Sequence, residues 1–147
     1  MDRSSAPIQV VIDCADPGAL VGFWAQALAP RGYAVPSPPG GFADWPAFLA
    51  ANGVPEERWN DASALEADGH PRIFLQRVPE PKTVKNRVHL DLLAGGGPAV
   101  PADEQRRRVA AEVARLEALG ATRIEEHTEL GTHWVTMRDP EGNEFCV

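Results

Sequence analysis

A chain of 147 residues, 44% of them apolar and with a formal net charge of -7, has the length of about one domain and enough apolar content for a real core. The acidic balance argues against nucleic acid or an anionic membrane as the main partner, since both demand a net basic surface. Two cysteines, no N-terminal apolar segment of signal-peptide form and no run of about 18 apolar residues lead to the expectation of a reduced, soluble, cytoplasmic protein.

The first element is "IQVVIDC" (8–14), a β-branched run of strand length. Asp16-Pro17 follows it with the form of a helix N-cap and a proline at the first helical position. In "ALVGFWAQAL" the residues Leu20, Phe23, Trp24, Ala27 and Leu28 recur at three- and four-residue steps, which predicts one apolar helix face, with Gly32 just beyond its end. After a stretch rich in proline and glycine (36–41), residues 44–61 carry Trp45, Phe48, Leu49 and Trp59 and read as an inserted helical excursion. "RIFLQRV" (72–78) returns to strand character, and the two prolines of "PEPKTVKN" (79–86) forbid a continuous ladder there.

The order then starts again. "VHLDLL" (88–93) predicts a strand with Val88, Leu90 and Leu92 on one face and Arg87, His89 and Asp91 on the other. "EQRRRVAAEVARLEALG" predicts a helix with Val109, Val113, Leu116 and Leu119 inward and Gly120 as its stop. Two short strands are expected around "LGT" (130–132). If Leu130-Gly131 is a two-residue hairpin turn, His127 faces Trp134 and Thr128 faces His133, so the two imidazoles point to opposite sides and do not chelate one ion. "DPEGN" (139–143) predicts a turn into a last strand, "EFCV", and His70 reads as loop. Each half thus reads strand, helix, then several strands, a weak repeat in element order.

This duplicated β-α-β-β-β order, with "DCADPGALVGFWAQAL" after the first strand, "VKNRVHLDL" opening the second half and "DPEGNEFCV" closing it, resembles the vicinal oxygen chelate superfamily. That is the glyoxalase, bleomycin-resistance and dioxygenase group, and its small glyoxalase-like domain proteins are the nearest branch. The resemblance covers nearly the whole chain. It implies an α+β fold of two β-α-β-β-β modules, about 8–78 with the insertion at 44–61 and about 88–147, forming one domain over residues 1–147. Their eight strands would make an open, cupped mixed sheet around a cavity. Metal-dependent members carry one ligand on the first and one on the last strand of each module; by position these fall on Gln9 and Gln76, and on His89 and Cys146.

Hard divalent ions want carboxylate or imidazole donors. Gln9 and Gln76 are neutral carbonyl donors, Cys146 is a thiol that binds only when ionised, and the family's last-strand carboxylate is missing at both sites. No cofactor is therefore expected, and a Ni, Zn, Fe or Mn centre is disfavoured. His89 reads either as a cavity-wall histidine held by a neighbour or as a general acid/base with Asp91 or Asp13 orienting its ring, a role that suits imidazole. Gln9, Gln76, Phe74, Cys146, Trp45 and Trp59 are the candidate ligand contacts, although Cys146 can also be a small inert hydrophobe and the aromatic insertion a local mini-core. Lys82 and Lys85, near Arg72, Arg77 and Arg87, could greet an anionic ligand or simply be a solvated linker. Three functions follow: binding or sequestration of a small, partly aromatic molecule; a metal-independent lyase or isomerase; and a metal-dependent dioxygenase or glyoxalase. A small-molecule ligand is the expected partner, without nucleic acid or membrane, and a homodimer stays open.

Overall fold

Residues 7–147 are described in a computed structural model of the chain. The chain divides into two units, one running to Pro81 and the other spanning Lys82–Val147. No helix among the described residues is long and apolar enough to cross a membrane.

In the first unit, β1 (Gln9–Cys14) leads into α1 (Pro17–Leu28) through the expected cap. The Asp16 carboxylate accepts from the Ala19 N–H at 3.1 Å, satisfying one of the N-terminal amides that a helix leaves unpaired. Asn60 reinforces that corner by donating to Asp16 Oδ1 (2.8 Å) and accepting from the Gly18 N–H (2.7 Å). A Cβ on Gly18 would lie 2.8 Å from Asn60 Oδ1, so only glycine lets the two segments approach. The bond from Asn60, followed by that from Ala19, holds the Asp16 carboxyl below its usual range. Leu20, Phe23, Trp24, Ala27 and Leu28 are all buried, and a 3-10 turn at Ala29–Arg31 ends on Gly32 in the left-handed region.

β3 (Arg72–Arg77) runs parallel to β1 and antiparallel to β2 (Ala62–Leu65), giving the order β1-β3-β2. Ile73, Leu75 and Leu65 are buried on the side packed by α1. The alternate residues of β1 and β3, from Gln9 to Gln76, leave the other face more open. The insertion forms α2 (Trp45–Ala51) and a 3-10 turn (Glu56–Arg58), and no residue of either is fully buried.

In the second unit the three strands pair in chain order. β4 (Thr122–Glu129), β5 (Thr132–Arg138) and β6 (Glu144–Cys146) form an antiparallel sheet covered on one face by α3 (Ala102–Leu119). β4 ends the sheet, is exposed along most of its length and carries an irregularity between Arg123 and Glu125. The β4–β5 turn is Leu130-Gly131, both with positive φ (48° and 76°), the two-residue hairpin geometry that suits the twist of the flanking strands. His127 pairs with Trp134 and Thr128 with His133, as the two-residue turn requires.

Three expectations need correction. Among the described residues the ladders comprise six strands, three in each unit, where eight were expected; each unit adds an isolated bridge, Ala34 to Glu66 in the first and Asp91 to Cys146 in the second. "VHLDLL" is therefore not a full strand. Its partner β6 is three residues long, and a ladder cannot outrun its partner; the segment pairs only where Leu92 N–H donates to Cys146 O and Cys146 N–H to Leu90 O, both at 2.9 Å. Val88 precedes that pairing and is 85% exposed, whereas Leu92 is 5% exposed. Leu119, at the frayed end of α3, is only half-buried.

Three polar residues, none with a hydrophobic signature, tie this unit together. Gln105 is 1% exposed on the inner face of α3; its amide donates to Val100 O and Gly131 O (2.8 Å each) and accepts from the His133 N–H (2.9 Å). Asp139 explains the "DPEGN" turn: Oδ1 accepts from Glu141 N–H and Asn143 N–H, and Oδ2 from the Asn143 side chain. Glu144 accepts from the Asn86 N–H at 2.9 Å and pairs with Lys82 at 3.0 Å. Burial pushes its carboxyl up, but the Asn86 and Lys82 bonds outweigh that and bring it down to about 2.

Gln105→Leu fills the same volume but strands two carbonyls and one N–H. It should cost about 2–4 kcal/mol in urea denaturation; a loss under about 0.5 kcal/mol would mean that water takes over the bonds. For Glu144 the folded value lies below the unfolded 4.5, so its stabilisation is complete above that value and fades as pH falls toward 2. Glu144→Gln should accordingly narrow the stability difference between wild type at about pH 6 and about pH 3, and an unchanged acid limb would contradict this.

Candidate functional site

The second unit's sheet has one face under α3 and one face open. Alternation places His133, Val135 and Met137 of β5 in the buried layer and Trp134 and Thr136 on the open side, where Thr136 lies opposite Cys146. The parallel bridge from Asp91 to Cys146 brings the 89–91 segment beside this row. His89 Nδ1 lies 3.0 Å from Asp91 Oδ1, and donor atoms of His89, Asp91 and Cys146 all fall within 4.8 Å of one another. Both His89 and Asp91 are accessible, with side chains 38% and 53% exposed.

The row continues across the sheet. Thr136 Oγ1 is 3.7 Å from Cys146 Sγ and 3.2 Å from His127 Nε2, and the His127 ring stacks on Trp134 with centroids 5.1 Å apart and planes at 16°. Burial pushes the Cys146 thiol up from its ordinary value; Thr136 pulls it down, and the Asp91 charge pushes it up again. Cys146 is thus a protonated thiol near neutral pH. His133 belongs to the other side, 7% exposed, with Nδ1 at 3.0 Å from Thr128 Oγ1.

In the first unit, Gln9 Oε1 accepts from Arg72 Nη1 at 2.7 Å, and Gln76 donates to Asp13 Oδ1 at 3.4 Å. Phe74 lies under the Arg72 guanidinium, 5.3 Å from the ring centroid. The Trp45 and Trp59 indoles donate to the carbonyls of Pro36 and Val54, and Phe48 meets both Phe42 and Trp45 edge-on, so these aromatics satisfy one another inside the insertion. Of the cations around the connection, Arg72 pairs with Glu66, Arg77 with Asp61 and Lys82 with Glu144. Of the two acids considered for orienting His89, Asp91 makes the bond, and Asp13 is bonded by Gln76.

The four inherited ligand positions fit a metal unequally. The carbonyl oxygen of Gln9 is turned to a guanidinium and the Gln76 amide is a donor to Asp13, whereas His89, held through Nδ1 on Asp91, keeps Nε2 as a donor atom beside Cys146. The three clustered donors of the second unit are close enough for one ion, and the His89–Asp91 bond also makes that pair a group that can hold a proton. Sequence reading took His89 and Asp91 for residues of a full strand, whereas only Asp91 bridges, singly, to Cys146, and it missed Trp134, Thr136 and His127 as neighbours of that row. Counting back by two along β5 from Thr136, the residue opposite Cys146, reaches Trp134, and the two-residue turn at Leu130-Gly131 sets His127 opposite it.

Comparison with known proteins agrees with this architecture. A glyoxalase/bleomycin resistance protein/dioxygenase family enzyme from Burkholderia phytofirmans PsJN superposes with a TM-score of 0.58 at 16% identity, covering 94% of this chain and 93% of that one. FosX, the genomically encoded fosfomycin resistance protein of Listeria monocytogenes, was solved with Mn(II) and 1S,2S-dihydroxypropylphosphonic acid; it gives 0.57 at 11% identity, with 97% and 87% covered. Lactoylglutathione lyase from Agrobacterium tumefaciens gives 0.55 at 15% identity, with 97% and 92% covered. At such identities these likenesses speak for the fold alone. No curated protein matches the chain in sequence. The sequence model of the glyoxalase-like domain matches residues 9–147, nearly the whole chain, and the protein belongs to that family within the vicinal oxygen chelate superfamily.

Proposed function

We propose that this glyoxalase-like protein binds a small organic molecule on the open face of its second sheet and moves a proton on it with His89, as a metal-independent lyase or isomerase. The observation that carries the reading is the His89–Asp91 bond of 3.0 Å beside Cys146. Asp91 accepts from Nδ1–H, which leaves Nε2 of the neutral ring with its lone pair outward, ready to take a proton. When it does, the adjacent carboxylate stabilises the imidazolium and keeps the ring in place for the return transfer. Cys146 and Thr136 supply a neutral, partly buried floor that adds no competing charge. The inherited metal positions are degenerate in this proposal. The expected count of eight strands belongs to it as well, with the segments bridged at Ala34 and Asp91 as the fourth strand of each unit. Two free cysteines suit a reducing cytoplasm, and the acidic balance suits a small-molecule partner, alone or in a homodimer, more than nucleic acid or membrane.

Elemental analysis should return substoichiometric metal, with chelator leaving the melting temperature almost unchanged. Near one equivalent of tightly held zinc, nickel, iron or manganese per chain would overturn the metal-free reading in favour of a metal-dependent enzyme. The paired variants His89→Ala and Leu92→Ala separate site from core. Denaturation should show a cost of roughly 1 kcal/mol or less for the exposed histidine and about 2–5 kcal/mol for the buried leucine. Among compounds that raise the wild-type melting temperature, His89→Ala should retain binding and lose turnover. Binding without turnover in wild type would reduce the protein to a sequestering role.

A further inference from the structure

A cleft of about 170 Å³ opens at the end of the second unit's open face, beside the proposed proton-transfer pair, and its walls differ in kind. Asp91 and Cys146 form one side, the backbone of Gly95–Gly97 another, and Trp134 a third. The indole is half-buried and backed on one face by the stacked His127 ring, which is itself held by Thr136 and does not reach the cleft. Its other face is therefore the one toward the cleft. Trp45 and Trp59 both give their indole N–H to a carbonyl, whereas the Trp134 N–H meets no acceptor among the described residues. The glycine wall adds no side chain that could compete for the indole face.

We infer that this cleft takes a flat nitrogen heteroaromatic ring, stacked on Trp134, whose N–H or amino group donates to the Asp91 carboxylate. The inference rests on the proposed use of this face and names the class of molecule it admits. A backed indole is a rigid platform whose free face stacks best on another π-system. Asp91 uses one oxygen on His89, and a carboxylate has about four acceptor sites, so it can also hold a donor on the ring. The same negative charge disfavours an anionic group at this end. The cleft volume suits one or two fused rings and not a longer polycycle.

The test follows the indole N–H resonance of Trp134, assigned by its loss in Trp134→Phe, during titration of the full chain with three probes. 2-Aminobenzimidazole is flat and carries N–H donors, indole-2-carboxylate is flat but anionic, and cyclohexylammonium is a donor that is not flat. 2-Aminobenzimidazole should shift the resonance saturably and bind at least about tenfold more tightly than the other two, and Asp91→Asn should weaken it by about ten- to a hundredfold, the range expected for losing a charged hydrogen bond. Equal binding of cyclohexylammonium would remove the stacking claim, equal binding of indole-2-carboxylate would remove the role of Asp91, and no shift with any probe at millimolar concentration would overturn the inference outright. The acid/base reading fails separately: unchanged turnover in His89→Ala would sink it while leaving ring binding intact, and ring binding can fail while His89→Ala still abolishes turnover.

Discussion

Two backbone hydrogen bonds hold the site together, from the Leu92 N–H to Cys146 and from the Cys146 N–H to Leu90. They fix the only parallel contact of the second sheet. Without it Asp91 and His89 would be side chains on a free loop, and Cys146 would face solvent. The bonds are local, but their register is set from further away. Glu144 catches the Asn86 N–H upstream of the segment, and Asp139 winds the turn that delivers β6. Two buried carboxylates at the start of β6, one in the turn before it and one on its first residue, thus decide which residues meet on the open face.

The strand-helix start was legible because local signals agreed there: β-branched residues, an Asp-Pro cap and apolar residues at helical spacing all led to the same boundaries. The Leu130-Gly131 hairpin was equally legible, since a two-residue turn leaves one register. What the letters hid was non-local. "VHLDLL" alternates as a strand should, but the length of its pairing depends on β6, a partner about fifty residues away whose own length nothing in the segment reveals. Gln105 was invisible for a related reason. A glutamine on a helix that also carries Arg106, Arg107 and Arg108 looks like surface, and only the fold shows that the carbonyls of Val100 and Gly131 need its amide.

At the candidate site, residue type constrained chemistry better than it constrained geometry. Glutamine at two of the expected ligand positions offers only a neutral carbonyl donor, and the structure shows how each is bonded: Arg72 donates to the oxygen of Gln9, and the Gln76 amide donates to Asp13. The neighbours Thr136, His127 and Trp134 could not be assigned from their own surroundings in sequence. They enter through the β5–β6 register and the stacking of His127 on Trp134.

β4 closes the second sheet with Glu125, Glu126 and Glu129 on a strand interrupted by an irregularity after Arg123. An outermost strand offers its outward peptide groups to any chain that drifts past, which makes such edges natural seeds for runaway stacking. Here an incoming copy aligned antiparallel about His127 would set Glu125 against Glu129 twice over, across a backbone that the irregularity has already bent out of line. The edge therefore repels its own kind. In a crowded solution that repulsion works against stacking along this border.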